Sequence, residues 1–192
     1  TDLDPVDASY GDDVEATPEG GFAYGEAGEG FTPNVQTSYA SGGLLWTTGF
    51  GDLVNLIFAA DSFGTGFVDI TFSADPGFVV ELFSFNVAAF TADFASDPTI
   101  AAVTVSDGTN PLFEQTDATI SHTTHTAFDF SGAPLSAETI VIRVDGRNLG
   151  SLRDDIAVDD VRFGQAVPEP APAVLLAGAI AGLAASRSRR RG

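Results

Sequence analysis

Between residues 31 and 163 the hydrophobic pattern has a period of two. In residues 67–72, Val68, Ile70 and Phe72 share one parity, while Asp69 and Thr71 take the other. In residues 79–87, Val79, Phe83, Phe85 and Val87 read as one face, interrupted by Glu81. Val103 and Val105 alternate ahead of an Asp107-Gly108 turn, and Ile140, Ile142 and Val144 alternate with Arg143 and Asp145. Alternation built from Val, Ile, Phe and Thr is the pattern of a half-buried strand. Segments 61–66, 74–77, 107–111 and 145–150 carry turn chemistry. No amphipathic helix of normal length separates the strands, so the expected class is all-β, a sandwich or a barrel. No internal repeat is visible.

The last strand, residues 156–163, breaks its own rule. Ile156 and Val158 lie on one parity, Val161 and Phe163 on the other. One extra residue switches parity, so a β-bulge at Asp159-Asp160 is predicted. Bulges re-aim side chains, which makes this pair the first place to look for a carboxylate turned towards a ligand.

The formal charge is -19 and the chain contains no Lys. Residues 1–167 hold four Arg against 26 carboxylates, a net of -22. Such a field repels nucleic acid and anionic headgroups, so no nucleic-acid partner is expected. Residues 1–30 form an acidic, Gly-rich arm with nine carboxylates and no base, read as extended with one strand around residues 13–16. Cys is absent, which excludes disulfides and thiolate metal sites. Met is absent too, and the expectation is that Thr1 follows a signal peptide already removed.

The C-terminal residues have a three-part order. Val167, Pro168, Glu169 and Pro170 open a stiff Pro-rich linker over residues 166–172. An uncharged stretch of mainly small and aliphatic residues follows, with a short transmembrane helix expected over 173–186. Residues 187–192 then carry Arg187, Arg189, Arg190 and Arg191. An apolar helix ahead of clustered Arg is a stop-transfer arrangement that keeps the Arg cytoplasmic and the body outside. The stretch is short of the roughly 20 apolar residues of a full span. Small residues with a Gly178-xxx-Gly182 spacing suit a temporary anchor.

This order of Pro168-Glu169-Pro170, short apolar helix and Arg cluster resembles the PEP-CTERM sorting signal of Gram-negative bacteria. The resemblance implies export and transient anchoring in the inner membrane with the body periplasmic. It also implies processing by exosortase, a membrane protease-transpeptidase, and delivery to the cell surface or an extracellular, biofilm-type polymer. The body segments GEGFTPNVQTSY, LWTTGFGDLVNLIF, ITFSADPGF, HTTHTAFDFSGAPL and NLGSLRDDIAVDDVRFGQ are similar to globular domains that precede such tails. The closing run from Ile156 to Phe163 is similar to the last strand of carbohydrate-binding, galactose-binding-like jelly rolls. There an acidic residue near the chain end helps hold a structural calcium ion. The fold expectation is therefore a jelly-roll β-sandwich over residues 31–165 with one short C-terminal transmembrane helix.

The remaining chemistry is sparse. Oxygen ligands suit Ca2+, the one cofactor expected, with Asp159 or Asp160 carried over by resemblance and Asp12, Asp13 and Glu15 as candidate N-terminal partners. Asp154-Asp155 is a further acidic pair. Trp46, Tyr39 and Tyr24 are the candidate ligand-stacking aromatics, although the apolar neighbours of Trp46 favour a core position. His122 and His125, at i, i+3, fall on opposite faces of a strand and share a metal only across a bend. There is no G-x-S-x-G elbow, phosphate loop, zincin helix or EF-hand loop. The expected body is a non-catalytic polysaccharide-associated domain. Alternatives are a structural subunit of an envelope assembly that keeps its anchor, and a small glycoside hydrolase, whose two carboxyls sequence alone cannot place.

Overall fold

The computed structural model describes residues 14–16, 22–24, 32, 34–39, 43–59 and 66–168. Its strands run in the order β1 (Val14–Ala16), β2 (Phe22–Tyr24), β3 (Val35–Tyr39), β4 (Gly43–Trp46), β5 (Leu56–Ala59), β6 (Phe67–Ala74), β7 (Val79–Ala89), β8 (Thr99–Ser106), β9 (Pro111–Thr119), β10 (Thr126–Asp129), β11 (Leu135–Ala137), β12 (Thr139–Asp145) and β13 (Ile156–Ala166). A 3₁₀ segment, Arg147–Leu152, links β12 to β13.

Two antiparallel sheets face each other as a sandwich. One has the order β3-β6-β12-β8-β9, the other β4-β5-β13-β7-β10, with β11 also pairing with β7. β1 and β2 form a separate two-stranded ladder. The chain changes sheet between β3 and β4, β5 and β6, β6 and β7, β7 and β8, β9 and β10, β11 and β12, and β12 and β13. The hairpins β4-β5 and β8-β9 stay within one sheet. Among the described residues no helix is long and apolar enough to cross a membrane. The expected span 173–186 and the Arg tail lie outside the described residues.

The core follows from the alternation. Val68, Ile70 and Phe72 of β6, Val103 and Val105 of β8, and Ile140, Ile142 and Val144 of β12 point into the gap between the sheets. The facing sheet contributes Val80, Leu82, Phe85 and Val87 from β7 and Ile156, Val158 and Phe163 from β13. Phe85 stacks on Phe128, centroids 5.0 Å apart, and Phe72 meets Phe163 at 4.5 Å. Burying each such side chain stabilises the fold by about 1.5–3 kcal/mol.

β13 carries the predicted bulge. Asp159 pairs with Asn86 and Arg162 with Ser84, so Asp160 and Val161 stand opposite Phe85 alone. Asp160 adopts φ +50°, in the left-handed region. β7 answers with an extra residue of its own: the next pair is Phe163 with Leu82, and Phe83 has no partner on β13. Both strands therefore change parity at the same level. This corrects the reading of β7. Val80 and Leu82 are buried together with Phe85 and Val87, whereas Val79 and Phe83 are only half-buried. The Phe83 ring lies over Gly164, whose absent Cβ would sit 3.1 Å from Cε2. Asp145, on the parity opposite Val144, is also buried, beneath Arg147.

Candidate functional site

The outer face of the β4-β5-β13-β7 sheet carries a second hydrophobic cluster. Leu44, Leu56, Phe58, Ala88 and Ala157 supply it from the strands, and Phe50 and Leu53 fold over from the β4-β5 loop. Four rings at its open end form a closed cycle. Trp46 meets Phe58 edge-on at 5.7 Å, Phe58 meets Phe50 at 5.9 Å, Phe50 meets Phe90 at 5.1 Å, and Phe90 returns to Trp46 at 6.4 Å. These rings and Asp155 line a pocket of about 90 Å³.

Local backbone geometry builds this box. Trp46 ends β4 and Phe58 faces the same side of β5, since Leu44 pairs with Phe58 and Trp46 with Leu56. Between them the loop closes through Asn55 N–H to the Thr47 carbonyl and Leu53 N–H to the Phe50 carbonyl. Gly49 adopts φ +104°, which a side chain would strain. Phe50 then bridges to Phe90, just past β7. Phe90 donates its N–H to the Asp155 carbonyl at 2.9 Å, and Thr91 donates to the Gly49 carbonyl at 2.7 Å.

Two His–Asp pairs tie the neighbouring loops to this end. His125 Nδ1 lies 2.9 Å from Asp52 Oδ1, joining the β9-β10 loop to the β4-β5 loop. His122 Nδ1 lies 2.6 Å from Asp97 Oδ1, joining the β9-β10 loop to the β7-β8 loop. Hydrogen bonds from the His122 ring and backbone hold the Asp97 carboxyl below the usual range. Thr91 Oγ1 also donates to the His122 carbonyl at 2.7 Å. The two imidazoles pair with different carboxylates on different loops.

At the bulge, the Asp159 carboxyl is pushed up to about 6, chiefly by burial. Asp160 raises it further, while hydrogen bonds from the backbone of Asp160 and Val54 oppose the shift. The Asp160 side chain accepts Asn86 Nδ2 at 2.9 Å. Calcium takes about six to eight oxygen ligands, which carboxylates share with backbone carbonyls and water. Among the described residues no group of three or more His, Cys, Asp or Glu is gathered for a metal. Glu15 lies on β1 opposite Ala23, and Tyr24 on β2 opposite Val14. Tyr39 pairs with Ile70 at the end of β3. Asp12, Asp13, Glu169, Pro170, Arg187, Arg189, Arg190 and Arg191 lie outside the described residues. Val167 and Pro168 follow β13 and are exposed.

Of the candidate aromatics, Trp46 is placed at a pocket, and its three partner rings escaped the sequence reading. A second feature also escaped it. Arg143 donates Nε to Asp69 Oδ1 at 2.7 Å across β12 and β6, and Arg147 donates Nε to Asp145 Oδ1 at 2.9 Å. Both guanidiniums lie over the Phe67 ring, at 4.4 and 5.6 Å from its centroid. These pairs raise both guanidiniums and hold the Asp145 carboxyl low.

No protein-family model, curated protein or solved structure matches this chain.

Proposed function

We propose that this chain is an exported envelope or extracellular-matrix protein whose body is a non-catalytic, jelly-roll ligand-binding domain associated with extracellular polysaccharide. The observation that carries the binding role is the four-ring box, an aromatic pocket held open at one end of the sandwich by loops hydrogen-bonded to each other. Pockets with aromatic walls and few polar groups are the usual form of a small-ligand site. The strand orders β5-β13-β7-β10 and β6-β12-β8-β9, with sheet changes at nearly every connection, support the jelly-roll assignment.

The route to the surface is proposed from the tail, whose order of Pro168-Glu169-Pro170, apolar stretch and Arg cluster resembles an exosortase substrate. Exosortase and the inner membrane are then the transient partners. With 26 carboxylates against four Arg in residues 1–167, the body suits a neutral or cationic polymer better than an anionic one. The binding role is tested by co-sedimenting the full chain with polymer from its own cells. Retention that Phe90→Leu weakens supports it, and no retention refutes it. The sorting role is tested by intact mass spectrometry of protein recovered from those cells. A mass lacking everything after the Pro168-Glu169-Pro170 region is expected, and a mass running to Gly192 contradicts it.

A further inference from the structure

We infer that the aromatic box binds an alkylated ammonium group. The inference rests on the proposed binding role of this end of the sandwich and names the chemical group it takes. Aromatic faces carry negative quadrupole potential, and a cation within about 6 Å of several ring centroids is attracted by each. Trp46, Phe50, Phe58 and Phe90 close a cycle with neighbouring centroids 5.1 to 6.4 Å apart. The Trp46 plane stands at 76° to Phe58 and 89° to Phe90, so these rings meet as walls rather than as a stack.

Size and charge narrow the ligand. The pocket holds about 90 Å³, well below the roughly 300–1,000 Å³ of sites that enclose a whole small molecule. It encloses a group of a few heavy atoms rather than a whole ligand, so a polymer enters it by a substituent. A chain of net charge -19 without Lys favours a cation over a neutral or anionic group. Asp155 lines the same pocket, and Asp52 sits on the loop that carries Phe50. An alkylated ammonium joins positive charge to an apolar surface that gives up its water readily, which suits walls made almost wholly of rings.

Trp46 is the only Trp in the chain, so its fluorescence reports on the pocket directly. Full-length protein is titrated with choline and, separately, with 3,3-dimethylbutan-1-ol, its uncharged isostere. Choline is expected to change the emission saturably, and the isostere to bind at least about tenfold more weakly. Phe90→Leu, which removes one wall and keeps the site apolar, should weaken choline binding by calorimetry at least about fivefold while circular dichroism stays unchanged. Equal binding of choline and the isostere, or no response to choline, overturns the inference. Retention on phosphatidylcholine vesicles assigns the group to a lipid headgroup, and binding of free choline without vesicle retention assigns it to a soluble or polymer-borne source. If choline fails while the cells' own polymer still binds, this inference falls and the polymer-binding role stands. If neither binds, both fall.

Discussion

Gly49 lies directly against the ring of Phe90: a Cβ built on Gly49 would sit 2.6 Å from Phe90 Cε2. The contact joins the β4-β5 loop to the residue that follows β7, and Thr91 N–H seals it by donating to the Gly49 carbonyl at 2.7 Å. The fourth wall of the box therefore depends on a residue with no side chain and with φ +104°.

Gly49→Ala should pay twice, once in backbone strain and once in displacement of the Phe90 ring. A loss of about 1–3 kcal/mol in stability is expected, read as a lower urea midpoint with unchanged slope. The emission of Trp46 should shift in the folded state, because Phe90 is one of its two edge-on neighbours.

Asp159 predicts an unusual pH dependence. Its carboxyl titrates near 6 when folded, against an ordinary value of 3.8. Between those values the folded state keeps a proton that the unfolded state has released, so stability falls as pH rises through this window and levels off above it. Asp97, Asp107 and Asp129 are shifted the other way by hydrogen bonds, so their contributions are present above the ordinary carboxylate range and lost on acidification. Asp159→Asn should remove the decline towards neutral pH and raise stability above pH 7 by about 1–2 kcal/mol, a figure reduced for the partial exposure of the group. Thermal unfolding of both proteins across the pH range checks this.

The paired bulges predict a deletion phenotype. Removing Asp160 returns β13 to strict alternation, with Ile156, Val158, Val161 and Phe163 on one face, and leaves only the extra residue of β7 unmatched. Phe163, 3% exposed and packed on Phe72 at 4.5 Å, keeps its inward place, so the loss should stay within about 1–2 kcal/mol. Asp160→Gly keeps the extra residue and tolerates φ +50°, and should cost no more than about 1 kcal/mol. Denaturant midpoints of the two variants separate bulge from side chain.

The β13 bulge was legible because Ile156, Val158, Val161 and Phe163 leave only one way to share a face. Its counterpart on β7 was hidden, since Val79, Val80, Leu82 and Phe83 are apolar on both parities and fix no register. β4 and β5 escaped for a related reason. Leu44–Trp46 and Leu56–Phe58 serve the inner core and the outer cluster at once, so they read as unbroken apolar runs. β9 escaped because it is almost wholly exposed and carries no hydrophobic period. Phe50, Phe58 and Phe90 gather only through the sheet order, and nothing in their spacing announces a box around Trp46.

The most direct test of the binding role is the emission of Trp46 while the full chain is titrated with extracellular polymer from its own cells. A saturable change, weakened in Phe90→Leu, is predicted if the loop end is the binding face. Polymer that co-sediments with the chain while Trp46 emission stays constant would contradict the account and place the binding face elsewhere.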